Sequence, residues 1–431
     1  MPGPQPAQAW FPMSEDPSVP GPQPAQTWLP VSEDRPVPAG LVDQVRRQIA
    51  GSGAVPTTAA VMAAVRAQPS SAVLGDTTLL RIAGQVHADL VGAGPLAPLL
   101  AEPDITDVLV NRSEVWVDRG HGLVRVPVEV GTPEQVRHLA QRLAAAAGRR
   151  LDDSSPFVDA QLPDGTRLHA VLPPVAVSGP YLCLRTFRHR WLGMAELQAA
   201  GTVDAPVAEL LVALVAARLA YLVTGGTGTG KTTLLGSLLS LVPADERIVV
   251  VEDAAELRPA HPHVVALQAR TTNVEGAGAV TMRELVRQAL RMRPNRIVVG
   301  ECRGGEVVDL LAALNTGHEG GAGTLHANAP ADVPARLEAL GLLGGLPRPV
   351  LHLQVAAALQ VVIHLRRRAG RRVVQEICLL LPDERQRLVT AVPVWRRGDG
   401  LGPAADAMAR LLAERGVAPP PLLCGRPGGP Q

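Results

Sequence analysis

The segment YLVTGGTGTGKTTLLGSLL, residues 221–239, constrains the fold of this chain more than any other. An apolar run ends in a loop carrying Gly225, Gly226, Gly228 and Gly230, and an apolar helical pattern opens at Lys231. The spacing is G-x-x-x-x-G-K-[ST], and strand before, helix after is the context in which such a loop binds phosphate. Its glycines turn successive backbone N–H groups inward, the helix N-terminus adds its positive end, Lys231 reaches the β and γ phosphates, and Thr232 offers a hydroxyl to Mg²⁺. Gly225, Gly226, Thr227, Gly228, Thr229, Gly230, Lys231, Thr232 and Thr233 are therefore the expected nucleotide-binding residues. Lys231 is also the single lysine of the chain, the other basic residues among the 41 Lys+Arg being arginines. Arginine serves most surface roles as well as lysine, but it cannot replace a compact ammonium inside a tight loop.

Strand and helix patterns alternate around this loop: AYLVT, the helix from Lys231, RIVVVED, TMRELVRQALRMR, RIVVGE and VVDLLAALN. Alternation of this kind predicts an α/β fold, a P-loop domain whose mainly parallel sheet is covered by helices on both faces. In such a sheet the carboxyl ends of neighbouring strands converge on the ligand. Glu252 and Asp253 end one predicted strand and Glu301 another, so these carboxylates are candidates to hold Mg²⁺, partly through water, and to orient an attacking water. The alternative is that Asp253 caps the next helix and Glu301 lies on a turn.

Before residue 193 the pattern differs. Residues 2–19 recur almost unchanged at 20–37, a proline-rich tandem repeat expected to be disordered, with Trp10 and Trp28 as the only candidate anchors. Residues 39–100 read as helical, and 101–192 as a smaller α+β domain built from ITDVLVN, EVWVDRG, LVRVPVEV, the helix PEQVRHLAQRLAAAAG, TRLHAVLPPV and YLCLRTF. The P-loop domain is expected over 193–397 and a loose tail over 398–431. VVIHLRRRAGRRVV reads as a hairpin, and Arg283, Arg287 and Arg291 as one helical stripe, either solvated or a contact surface.

Composition excludes several classes. A formal charge of +1, a pI near 7.8 and 2% aromatic residues offer neither phosphate tracking nor base stacking, so direct nucleic-acid binding is not expected. Cys183, Cys302, Cys378 and Cys424 show no C-x-x-C spacing, which argues against a disulfide framework or a zinc knuckle. The opening MPGPQPAQAW lacks a basic region and an apolar core, and AELLVALVAARLAYLVT carries Arg218 mid-run, so a cytoplasmic chain is expected. The window NTGHEGGAGTLHANAP, 315–330, leaves three readings open: a metal site, a flexible loop, or a sensor of something bound elsewhere.

Taken in order, VTGGTGTGKTT, IVVVEDAAEL, LRMRPNRIVVGECRGGE and NTGHEGGAGTLHANAP resemble the secretion ATPases of the type II/type IV superfamily, most closely the CpaF/TadA-type ATPases of tight-adherence pili. The resemblance runs from about Leu96 to Leu340 and more weakly to Trp395, and includes PFVDAQLPDGTRLHAVLPPV. It implies a RecA-like P-loop ATPase domain, ATP and Mg²⁺ as cofactors, a homo-hexameric ring, inner-membrane platform proteins as partners, and a place peripheral to the inner face of the cell membrane. By the same resemblance, Glu252 and Asp253 belong to an acidic box and Glu301 polarises water. His326 is implied as the γ-phosphate sensor with His318 beside it, and Arg167 and Arg185 are implied to reach the nucleotide. Asn295 and Cys302 depart from the family pattern. A RecA-like nucleic-acid motor, a helicase or DNA-transfer ATPase, is the alternative.

Overall fold

The computed structural model describes residues 40, 44–45, 48–49, 58–71, 75–90, 92–120, 122–186, 192–270, 272, 277–368, 370–383 and 388–424. The tandem repeat with Trp10 and Trp28 lies outside them. The chain divides into two compact units, the first ending at Leu90 and the second running from Val91.

In the first unit, helices Thr58–Arg66 and Asp76–Leu90 carry apolar residues at helical spacing. Val61 and Val65 pack with Leu79, Ile82 and Val86 into a small core of their own.

The second unit contains two sheets. The first has six short strands: β1 (Asp107–Asn111), β2 (Glu114–Asp118), β3 (Leu123–Val126), β4 (Phe157–Gln161), β5 (Arg167–Val171) and β6 (Tyr181–Arg185). Their order is β3-β2-β1-β6-β5-β4, and every pairing is antiparallel. Alternation decides which face is covered. Val108, Val110, Leu168, Ala170, Leu182 and Leu184 point inward and meet Val136, Leu139, Ala140 and Leu143 of the helix Pro133–Ala146. A capping box, Thr132 with Gln135, starts that helix.

The second sheet has nine strands: β7 (Tyr221–Thr224), β8 (Ile248–Glu252), β9 (Val264–Gln268), β10 (Arg296–Cys302), β11 (Ala322–Leu325), β12 (Val361–Arg368), β13 (Arg371–Asp383), β14 (Leu388–Arg396) and β15 (Gly400–Leu401). Their order is β15-β14-β13-β12-β7-β11-β10-β8-β9. The six strands from β12 to β9 are parallel, and β13 to β15 extend the sheet antiparallel. Both faces are buried, which is why β7, β8 and β10 read as unbroken apolar runs. Tyr221, Val223, Ile248 and Val250 face helices Ala205–Ala216, Lys231–Leu239 and Ala405–Glu414. Leu222, Val249, Val251 and Val299 face helices Met282–Ala289, Glu306–Leu314, Val333–Leu343 and Arg348–Ala358.

The expected mainly parallel α/β core is therefore present, as is the 361–372 hairpin. The expected loose tail differs. Residues 400–424 supply β15 and a helix whose Ala405, Met408 and Leu412, at helical spacing, are fully buried, and Leu423 joins the same core. Its proline-rich ending concealed that amphipathic stripe.

Candidate nucleotide site

Parallel pairing places the carboxyl ends of β7, β8, β10 and β11 on one edge, and each delivers one of the expected groups. The loop 225–230 leaves β7 and enters the helix Lys231–Leu239. Gly225 has φ +148°, and a Cβ there would lie 2.5 Å from the Leu365 carbonyl oxygen of β12, so only glycine fits. Gly228 and Gly230 are also left-handed. Thr229 Oγ1 donates to the Gly226 carbonyl at 2.9 Å and closes the loop.

Lys231 is 8% exposed, and its ammonium donates to the carbonyls of Gly225 and Gly226 at 3.1 and 3.0 Å. It also lies 3.3–3.4 Å from the two ring nitrogens of His326, which follows β11. His326 Nε2 is in turn 2.6 Å from Glu301 Oε1 at the end of β10. P-loop lysine, imidazole and carboxylate from three separate strands thus form one contiguous row. Burial, then the adjacent Lys231 charge, lowers the His326 pKa below its ordinary value, so the ring is neutral near pH 7. Burial likewise lowers Lys231, opposed by the Glu301 charge.

Asp253 sits beside this row. Its carboxylate caps the Ala254 N–H at 2.9 Å and receives Arg303 at 2.9 Å, while Arg167 of β5 stands 3.9 Å away. Arg167 makes its closer contact with Glu256, at 3.3 Å. Arg185 is the cross-strand partner of Arg167, which puts both on one outward-facing row, but its guanidinium is tied to Asp107 at 2.9 Å. Arg167 therefore reaches the acidic strand end and Arg185 is held back from it.

Glu252 is brought to the same edge but turned away. Its carboxylate accepts from the backbone N–H groups of Glu256 and Leu257 at 3.0–3.2 Å, and none of these contacts is with the P-loop. Gly300 on β10 makes room for it, since a Cβ there would fall 2.5 Å from Glu252 Cγ. Burial pushes the Glu252 carboxyl up to about 7, against those two N–H groups.

The expectation that His318 lies beside His326 is corrected. His318 precedes β11 and His326 follows it, so they sit at opposite ends of a four-residue strand, roughly 13 Å long at about 3.3 Å per residue. They cannot share one ion, which removes the two-histidine metal reading. The glycines of the window also serve packing rather than motion. A Cβ on Gly321 would meet Leu314 Cδ2 at 2.5 Å and the Ile297 carbonyl oxygen at 2.7 Å, and one on Gly323 would crowd the Val299 carbonyl at 3.1 Å. Asn295 is likewise remote from the chemistry: at the amino end of β10 its Oδ1 accepts from the Arg247 N–H at 2.8 Å. Arg283 and Arg287 pair with Asp309 at 2.6 and 2.8 Å, so the expected stripe is mostly an internal ion pair.

Two further residues join the site. Arg303 donates to Glu301 Oε2 at 2.6 Å and to Asp253, and Glu256 receives Arg167. Arg303 was legible in principle, because residues two apart near a strand end share a face with Glu301.

The donor set suits magnesium. Thr232, Asp253 and Glu301 carry hard oxygen atoms of the kind magnesium takes, and Glu301 Oε1 is buried with its 2.6 Å contact to His326 not aligned as a hydrogen bond. A buried carboxylate oxygen so placed beside a phosphate loop is chemically matched to a cation or its water.

The family model for the type II/IV secretion system protein matches residues 89–394. A Mycobacterium tuberculosis protein named for conjugal transfer, Rv3659c, is 57% identical over 354 residues, covering 80% of this chain and 100% of that one. The type IV secretion system protein PtlH of Bordetella pertussis is 35% identical over 305 residues, covering 64% and 89%. Among solved structures, the VirB11 ATPase of the Brucella suis type IV secretion system is 26% identical, covering 66% of this chain and 92% of that one with a TM-score of 0.35. The Legionella pneumophila ATPase DotB is 21% identical, covering 68% and 81% with a TM-score of 0.47. With a phosphate loop, an acidic strand edge and a facing histidine in one site, and a family model spanning well over half its length, the chain belongs to the type II/IV secretion system protein family.

Proposed function

We propose that this chain binds Mg²⁺-ATP at the edge formed by β7, β8, β10 and β11, with Glu301 polarising the attacking water and His326 reading the γ-phosphate. The chain is an ATP hydrolase of the secretion superfamily, and hydrolysis powers secretion or pilus assembly. The observation that carries the assignment of roles is the row Lys231, His326, Glu301, three groups from three strands within 3.4 Å of one another in succession. Thr232 and Asp253 would hold the magnesium ion, partly through water, with Glu252 shaping the loop beside them. The metal neutralises phosphate charge and orients water when bound. Arg167 approaches the same edge from the preceding sheet, where a guanidinium can clamp phosphate bidentately.

The finer reading is a ring, a homo-hexamer, working on inner-membrane platform proteins of a tight-adherence-type pilus from the cytoplasmic side. Among the described residues no helix is long and apolar enough to cross a membrane. The division into a helical region (39–100), an α+β domain (101–192) and an ATPase domain (193–397) belongs to this reading, in which the small domain presents Arg167 to the nucleotide, and Arg185 only on release from Asp107.

A DNA-transfer motor is the second reading, favoured by the conjugal-transfer names of Rv3659c and of TrbB from Rhizobium radiobacter, 30% identical over 288 residues. Phosphate release measured with and without single- and double-stranded DNA separates the two. The pilus or secretion reading expects no stimulation; a severalfold increase would favour the DNA motor. For the site itself, Lys231→Ala should lose nucleotide binding, whereas Glu301→Gln should bind ATP and fail to hydrolyse it, the amide keeping shape without basicity. Equal loss of binding in both variants would refute this division of roles.

A further inference from the structure

The guanidinium of Arg303 spans the two carboxylates on which cation and water chemistry is proposed. Its Nη2 is 2.6 Å from Glu301 Oε2 at the end of β10, and its Nη1 is 2.9 Å from Asp253 Oδ2 just past β8. The backbone of the same residue is fastened separately: the N–H groups of Arg303 and Gly304 both donate to Glu306 Oε1, at 2.6 and 2.7 Å. The side chain itself is 55% exposed, against 16% for Glu301. A fixed backbone with a half-exposed, many-jointed side chain can release its two bonds without unfolding anything.

We infer that Arg303 is an internal counter-cation, a positioning residue that bridges Glu301 and Asp253 in the nucleotide-free chain and must withdraw when a divalent cation enters with the nucleotide. This inference rests on the proposed ATPase site. Two carboxylates facing one gap repel each other unless a positive charge lies between them. The guanidinium supplies that charge at rest, and a doubly charged ion replaces it on binding. Arg303 also keeps Glu301 turned towards it through Oε2, which leaves Oε1 for His326. Displacement of Arg303 would therefore free Glu301 Oε2 and Asp253 Oδ2 together, linking cation entry to activation of the Glu301 carboxylate.

The charges form a continuous line. Arg167 touches Asp253, Asp253 holds Arg303, Arg303 holds Glu301, and Glu301 meets His326 beside Lys231. Withdrawal of Arg303 leaves Asp253 to the incoming cation and to Arg167, so cation entry at the P-loop is felt by the neighbouring sheet.

The test uses Mn²⁺ alone as an EPR-visible probe, titrated into the full nucleotide-free chain. Arg303→Ala should bind Mn²⁺ about three- to tenfold more tightly than wild type, because one competing positive charge is gone. Arg303→Lys, a point charge able to satisfy only one carboxylate at a time, should fall between them. In steady-state hydrolysis the half-saturating Mg²⁺ concentration should drop by a similar factor in Arg303→Ala, while KM for ATP at saturating Mg²⁺ stays within about twofold. A purely structural Arg303 predicts the reverse: a lower melting temperature with Mn²⁺ affinity unchanged or weaker in both variants, which would overturn the inference. If the alanine variant fails to fold, the lysine variant carries the same comparison. A wild-type chain that binds no ATP would sink the ATPase site while leaving the Mn²⁺ comparison readable.

Discussion

The role proposed for His326 depends on its neutrality. An imidazole wedged between an ammonium and a carboxylate, partly buried and with its pKa lowered, can donate one hydrogen bond without adding charge. His326→Ala should leave ADP affinity nearly unchanged while turnover falls about ten- to a hundredfold, the worth of one hydrogen bond to a charged group at roughly 1.5–3 kcal/mol. His318→Ala, at the far end of β11, should alter turnover by less than about threefold, since its Nδ1 meets the Ala313 carbonyl at 3.2 Å, away from the row of Lys231, His326 and Glu301. Comparable losses in the two variants would count against the sensor role. Glu252 makes a separate prediction through pH. Its folded pKa, about 7, is raised above the ordinary carboxylate value, so the folded chain holds a proton that the unfolded chain gives up. Stability from this group is therefore full in mild acid and declines as pH rises from about 4.5 to about 7, by an amount on the order of 3 kcal/mol. Urea midpoints of the nucleotide-free chain at about pH 5 and about pH 7.5 should show that slope, and Glu252→Gln should flatten it; an unchanged slope in the variant would place the titration elsewhere.

Strand β11 depends on glycine. It is short and follows Gly320 and Gly321, and the sequence AGTL, with Thr324 its one β-branched residue, gives little strand signal. Glycine is needed there because the backbone of β11 must press against β10 and the helix Glu306–Leu314. Gly321→Ala should cost about 1–3 kcal/mol by overpacking, read as a lower thermal midpoint. Gly317, with nothing within 4 Å of an added Cβ but φ +94°, should lose less, about 1 kcal/mol from backbone conformation alone. The reverse ranking would show that the window is loose rather than packed. At the opposite edge of the sheet, Arg296 is 1% exposed and paired with Glu246 at 2.8 and 3.3 Å. Glu246→Ala strands a buried guanidinium, and a loss of about 3–5 kcal/mol in denaturant unfolding is expected.

Across the molecule, the nucleotide edge receives one arginine at close range and holds another in reserve. Arg167 stands 3.9 Å from Asp253, whereas Arg185 is bound to Asp107. On the proposed reading, in which both arginines serve the nucleotide, the pairing of Arg185 with Asp107 leaves that set incomplete within one chain, and activity is expected to depend on assembly. Specific activity per chain should rise with protein concentration and then saturate as rings fill. Activity independent of dilution down to a chain shown by light scattering to be a monomer would remove the assembly requirement.

Much of this protein is readable from its residues in order. The G-x-x-x-x-G-K-T loop between an apolar strand and an apolar helix points to a phosphate site because its glycines and the helix start turn backbone N–H groups inward beside one lysine, and unbroken apolar strands alternating with helices specify a sheet covered on both faces. Carboxylates at strand ends follow from the same pattern. What only the tertiary structure decided is which of these groups meet. In the sheet β7 lies between β11 and β12, strands about a hundred or more residues further along the chain, so the closeness of Lys231 to His326 and of Gly225 to Leu365 is set by strand order, which no local pattern encodes. The same cause separates His318 from His326, neighbours in sequence on opposite edges, and brings Arg303 between Glu301 and Asp253, where two parallel strands end side by side.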